Sequence, residues 1–244
     1  MHALVFFVLA TQAIYGTLAN PLSKRAVGFI DPRKDGGSLL DDTGNGLGEP
    51  LNVIVSGLSS AQVLTDDGIV NYARAIGFST ECFGVHLGDP QSANLGDGHG
   101  AVNQTIELRQ DFGDANVGTC LESLIGGNHF RVFRQNGPTA NTGALFLAVS
   151  HEEDVGQGHT ISPDGYNNGR DLLVASAVGR TSFKGVNYDT VAQNLTGLLA
   201  PGAAGINHGK DPSLPSADPS KSSDISITDI ATDGIITLLT VTIV

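Results

Sequence analysis

The chain reads as a single α+β domain with a mixed β-sheet and a few helices packed on it. Three observations carry that expectation. Short β-branched or apolar runs recur between turn signals, and two segments space their apolar residues as helices do. The last ten residues, Ile235 to Val244, are apolar and punctuated by Thr237, Thr240 and Thr242, which suits a strand returning to the sheet. At 244 residues the chain can bury one sizeable core.

The elements follow in order. Leu51–Ser56 is the first strand, stopped by Gly57. Thr65-Asp66-Asp67 supplies a cap and N-terminal negative charge for a helix in which Ile69, Val70, Ala73 and Ile76 recur before Gly77 ends it. Cys82–Leu87 reads as a strand, residues 88–100 as a glycine-rich loop, and Val102–Leu108 as a half-exposed strand. Cys120–Ile125 is a short helix closed by Gly126-Gly127. His129–Arg134 and Ala144–Ser150 are strands, the second lacking alternation and therefore covered on both faces. Gly169–Val178 is a further helix, residues 197–224 form a Gly/Pro/Ser-rich loop, and Asp233-Gly234 turns the chain into the final strand over 235–244. No internal repeat is evident.

Composition excludes some functions. Lys and Arg total 13 against 25 Asp and Glu, a formal charge of −12, and no basic, aromatic-laced stripe is present; nucleic acid is therefore not an expected partner. Residues 1–19 have the shape of a secretory signal peptide, with Thr17 and Ala19 at the small positions before Asn20; an uncleaved anchor is the rival reading. Residues 20–48 read as a polar lead-in outside the core, with a propeptide site at Lys24-Arg25, and the domain occupies 49–244. The terminal apolar run is too short to cross a bilayer as a helix, so no stable membrane insertion is expected after cleavage. Secretion favours a bridge between Cys82 and Cys120, closing about 40 residues and worth about 3–4 kcal/mol, over two buried thiols. Asn103 and Asn194 head N-glycosylation sequons.

Chemistry concentrates in Asn128–Asp171, where His129, His151 and His159 and three arginines meet five carboxylates. On an extended strand His129, Arg131 and Phe133 share one face, while Phe130, Val132 and Arg134 share the other. An arginine among such apolar neighbours needs a carboxylate, with Glu152, Glu153, Asp154, Asp164 and Asp171 as candidates. Arg134, Asp164, Arg170 and Asp171 read as structural ion pairs. His129, Asp154 and His159 remain candidates for chemistry, either as ligands of a divalent metal or with His159 as a general acid–base beside Asp164. No zinc signature, serine elbow, P-loop or dinucleotide fingerprint accompanies them, so no cofactor is called for, and a divalent metal is the one these residue types would accept.

In their order these pieces resemble the LssY C-terminal-like domain. The resemblance rests on Glu49-Pro50-Leu51-Asn52, Ala73-Arg74-Ala75-Ile76-Gly77-Phe78 and His129-x-Arg131-x-Phe133-Arg134. It continues through Gly143–Ser150, Asp154, His159-x-Ile161-x-Pro163-Asp164 and Arg170-Asp171, and covers residues 49–178. It implies a secreted, fungal-type member of a sparsely characterised family, some members of which are joined to membrane-bound phosphatidic-acid-phosphatase-type enzymes. Gly158 and Gly169 stand where the family often carries a second polar residue and an acid, which implies lost or altered activity. The expected role is a binding module for an unknown extracellular ligand. The alternatives are a metal-assisted phosphoester or lipid hydrolase and a structural cell-surface protein. In the hydrolase, His129, Asp154 and His159 would form the centre, with Arg131 and Arg170 stabilising an anionic oxygen.

Overall fold

The computed structural model describes residues 27–43, 48–84, 90–202, 204–205 and 230–244; the signal-peptide, propeptide and most of the 197–224 loop assignments lie outside them. Its elements are β1 (Val53–Val55), α1 (Asp66–Ala75), β2 (Phe78–Thr80), β3 (Ser92–Asn94), β4 (Ala101–Asn103) and β5 (Ile106–Gln110). They continue with α2 (Gly118–Ile125), β6 (Gly127–Arg134), β7 (Leu145–Glu152), α3 (Gly165–Ala177), β8 (Gly179–Phe183) and β9 (Val186–Leu195). Short β10 (Ala204–Gly205) and β11 (Ile230–Ala231) pair with each other, and β12 (Ile236–Ile243) ends the chain.

Eight strands form one mixed sheet in the order β2-β5-β6-β7-β1-β12-β9-β8. The β1–β12 pair is parallel and the other neighbours are antiparallel, as expected for an α+β domain. The terminal strand lies mid-sheet, between β1 and β9, so the last apolar run is core. The sheet curls far enough for α1 to pack on both edge strands, β2 and β8. α1 begins at Thr65, whose hydroxyl oxygen accepts from the Gly68 amide at 3.0 Å, as the cap reading requires.

Period-2 alternation gives the sheet two different faces. Val53, Val55, Leu108, Phe130, Val132, Leu147 and Val149 point towards α1 and α3 and join Ile69, Tyr72, Ala73 and Leu173 in one core. Ile54, Phe133, Phe146 and Ala148 point the other way and meet Leu39, Leu51, Ala93 and Leu95. The expectation that Ala144–Ser150 is covered on both faces therefore holds.

Three local readings change. Cys82–Gly84 is a 3-10 turn, not the start of a strand, because the bridge to Cys120 at the head of α2 draws it out of the sheet; residues 85–89 are outside the described set. The lead-in is not peripheral: Leu39 is buried, Leu40 bridges to Pro50, and the Gln135 carboxamide exchanges two hydrogen bonds with the Ile30 backbone at 2.9 and 2.8 Å. β8 and β9 form a hairpin for which the sequence reading assigned no element. Its turn, Lys184-Gly185, has positive φ at both residues (48° and 81°), the geometry that matches strand twist in a two-residue loop.

Asn52 and Gly169 have structural roles. Asn52 lies where β1 has parted from β7. Its Nδ2 donates to the carbonyls of Val149 and Tyr166, both at 2.9 Å, and its Oδ1 accepts from the Val149 amide at 3.1 Å. Gly169 is where α3 touches the sheet. A Cβ there would lie 2.8 Å from the Ser150 carbonyl carbon and 2.9 Å from both the His151 nitrogen and Asn128 Oδ1, so no acid fits. Gly169→Ala should therefore destabilise the fold by about 1–3 kcal/mol through overpacking, although alanine is the better helix former. Urea denaturation measures this, and an unchanged or raised midpoint would disprove the close-contact assignment.

Candidate functional site

The second sheet face changes from apolar to charged across β5, β6 and β7. Glu107 and Arg109 on β5, His129 and Arg131 on β6, and Ser150 and Glu152 on β7 share that face, because cross-strand partners point the same way. The register pairs Glu107 with Arg131, Arg109 with His129, and His129 with Ser150. The lead-in contributes Asp41, Glu49 follows directly after it, and α2 contributes Glu122.

Two arginines organise the cluster. Arg131 Nη1 donates to Glu49 Oε2 at 2.6 Å, and its Nε lies 3.2 Å from Glu107 Oε2. Arg109 bonds Glu107 at 2.7 Å and Glu122 at 3.0 Å, and lies 3.6 Å from Glu152. Burial works against the charge of each arginine. The surrounding carboxylates outweigh it and hold both above the usual arginine range: Glu107, Glu122 and Glu152 around Arg109, with Glu49 and Glu107 foremost around Arg131.

His129 is wholly buried beneath them. Its Nε2 lies 3.2 Å from Arg131 Nη1 and 3.2 Å from Ser150 Oγ, and its Nδ1 lies 3.7 Å from Glu152 Oε1. A guanidinium can only donate, so Nε2 is the acceptor and the ring proton sits at Nδ1, facing Glu152. The sequence Ser150–His129–Glu152 thus has the connectivity of a nucleophile, base and orienting acid. Ser150 and His129 are both 0 % exposed, however, and the serine hydroxyl also faces Glu49 Oε1 at 3.4 Å. No substrate reaches it in this arrangement.

A metal fits poorly for the same reasons. Donor atoms of Glu122, His129 and Glu152 lie within 4.8 Å of one another, the spacing of a coordination shell. The Arg109 guanidinium already bonds Glu122 and lies against Glu152, and the Nδ1 proton occupies the imidazole lone-pair position on that side. Binding a cation there requires displacing one positive charge and one proton.

The predicted site residues separate accordingly. His129, Arg131 and His159 do come together, with His159 Nδ1 3.7 Å from Glu152 Oε2. Burial and the nearby Arg109 lower the His159 pKa, so the ring meets Glu152 in its neutral form at neutral pH. Asp154 stays near His159, where its charge opposes the lowering, but its carboxylate caps a 3-10 turn by accepting from the Gln157 amide at 3.2 Å, and Glu152 is the acid that lies 3.7 Å from both His129 and His159. Arg170 is elsewhere, bonded to Asp171 and Asp233 beside α3. Arg134 pairs with Asp66 at the start of α1, an acid not among its expected partners. Asp164 pairs with no described arginine and accepts from Asn167 Nδ2; it is likewise not the partner expected for His159.

Glu49, Glu107, Arg109 and Glu122 were missed as site residues. A signal existed for two of them: Glu107-Leu108-Arg109 alternates charge and leucine as His129-Phe130-Arg131 does.

Open surface lies on the opposite face, beside α3. One cavity of ≈ 240 Å³ reaches Asn128 and Asp111, and a shallower one of ≈ 520 Å³ reaches His151 and Ser162. His151 Nδ1 lies 3.1 Å from Ser162 Oγ, and burial lowers its pKa.

Comparison of the chain with family models, curated proteins and solved structures gives no match.

Two outcomes follow. Arg131→Met, which takes the guanidinium from buried Glu49 and leaves Glu107 to Arg109 alone, should cost on the order of 3–5 kcal/mol, whereas Arg134→Met, which releases only the exposed Asp66, should cost under about 1 kcal/mol. Equal costs in chemical denaturation would refute the scaffold role. Burial, opposed by Arg109, also raises the Glu122 pKa above its ordinary 4.5. A carboxyl raised in the folded state contributes stability that is complete below its unfolded value and lost as pH rises through the folded one. The melting temperature of Glu122→Gln relative to wild type should therefore climb from about pH 4 to pH 7; a pH-independent difference would contradict it.

Proposed function

We propose that this protein is an extracellular binding module, an LssY C-terminal-like domain whose charged cluster serves as scaffold and whose ligand contacts lie on the helical face. One observation carries the reading: the Ser150–His129–Glu152 array is enclosed and committed to Arg131 and Arg109, while concave surface open to solvent lies across the sheet beside α3. Catalysis needs a nucleophile or base within reach of substrate, and the His129–Ser150 pair offers none in this arrangement.

Secretion belongs to the same proposal. The Cys82–Cys120 bridge fits an oxidising compartment, and no helix among the described residues is long and apolar enough to cross a membrane. Asn103 and Asn194 lie exposed on β4 and β9, where attached glycans would project into solvent.

The second reading is the metal-assisted hydrolase. The convergence of Glu122, His129 and Glu152 favours it, with His159 at the exposed margin. The two readings part on one assay. Purified protein is incubated with p-nitrophenyl phosphate, bis-p-nitrophenyl phosphate and phosphatidic-acid vesicles, each with and without added zinc, manganese or magnesium. The binding module should give no turnover above buffer, and His159→Ala should change neither that rate nor the melting temperature by more than about 2 °C, as expected of a partly exposed side chain. Metal-dependent hydrolysis abolished in His159→Ala would replace the binding reading with the enzymatic one.

A further inference from the structure

The two cavities beside α3 adjoin at Leu172 and are taken together as one groove. Asn128 lines the first and His151 the second, and these residues face each other across β6 and β7. Leu172, half exposed on α3, lines both. At ≈ 240 and ≈ 520 Å³, their combined volume falls within the range of about 300–1,000 Å³ typical of small-molecule sites.

The lining selects among ligand chemistries. It contains no lysine or arginine, and the chain's formal charge is −12, so the groove does not attract phosphate, sulfate or carboxylate groups. Its polar groups are amides, hydroxyls, an imidazole and two carboxylates, suited to a ligand with many neutral hydroxyls. Asp111 is held in place by Ser79 Oγ and the Gly113 amide, each at 2.9 Å, and each of its oxygens keeps further acceptor capacity. Asn128, at the floor of the first cavity, is 1 % exposed and anchored by its Nδ2, which donates to the Gly169 carbonyl at 2.8 Å.

The apolar part has a matching shape. Phe112 stands at the lip with 44 % of its surface exposed and φ at 47°, a left-handed conformation that a bulky residue rarely adopts. Ile76 and Phe78 continue its side of the groove, and Leu172 faces the second cavity. A half-exposed aromatic ring beside a carboxylate, carboxamides and hydroxyls can pack on the C–H face of a pyranose while those polar groups hydrogen-bond its edge. We propose that this groove binds an uncharged carbohydrate of at least two sugar units, one unit against Phe112 and Asp111 and the next beyond Leu172, against His151, Ser162 and Asn168. The assignment rests on the binding-module reading and gives it a ligand class.

The test is saturation-transfer NMR and calorimetry on the full chain with cellobiose, mannobiose and N,N′-diacetylchitobiose. A capped alanine tripeptide is run in parallel, and Phe112→Ala and Asn168→Ala serve as variants. The proposal expects at least one disaccharide to bind, Phe112→Ala to weaken it by about three- to tenfold, as loss of one stacking ring should, and Asn168→Ala to weaken it with an unchanged melting temperature. No binding by any disaccharide, or binding that both variants leave intact, overturns it. If the tripeptide binds in a Phe112-dependent way while the sugars do not, the carbohydrate assignment falls and the binding module stands. If no probe binds, both fall.

Discussion

A guanidinium buried against a sheet obliges the chain to bring carboxylates to it, and much of this architecture follows from meeting that demand at Arg131. Its partners are Glu107 on β5 and Glu49, which is hydrogen-bonded to Asp41 of the lead-in, so satisfying one side chain ties the N-terminal segment over the second sheet face. Arg109 extends the same logic to α2 through Glu122, and the Cys82–Cys120 bridge holds that helix near the charge it must neutralise. Breaking such a lattice leaves buried charge uncompensated, which costs far more than any single pair contributes when intact.

The same alternation that builds the lattice separates it from the accessible surface. On β6 and β7, His129 and Ser150 point into the cluster, whereas Asn128 and His151 point towards α3. Gly169 lets α3 approach the backbone there closely, and the depressions on either side of Leu172 result from where that helix sits. Neighbouring residues of one short segment thus serve a dry ionic core and an open groove.

The legible part of the site was local. The face shared by His129, Arg131 and Phe133 followed from strand periodicity, and so did the need of Arg131 for an acid. The identity of that acid did not follow, because Glu49 lies 82 residues away from Arg131 in the chain. Asp154 was expected and Glu152 found, since β7 runs on through Glu152 and parity puts that residue beside His129, while Asp154 begins a turn. The β8–β9 hairpin escaped notice because its strands are mostly half-exposed and lack a strong apolar alternation.

By itself the sequence determined the class of fold, the ends of α1, the two-sided burial of β7, the strand at the C-terminus and the two cysteines that pair. Each depends on local propensity, periodicity or compartment chemistry, which act within a few residues or on composition. Only the tertiary structure decided which carboxylates neutralise Arg109 and Arg131, that Ser150 and His129 meet in a closed interior, and that the open groove lies on the opposite face. Those outcomes depend on strand register and on contacts across long chain separations, where a shift of one residue would turn every side chain of a strand to the other side.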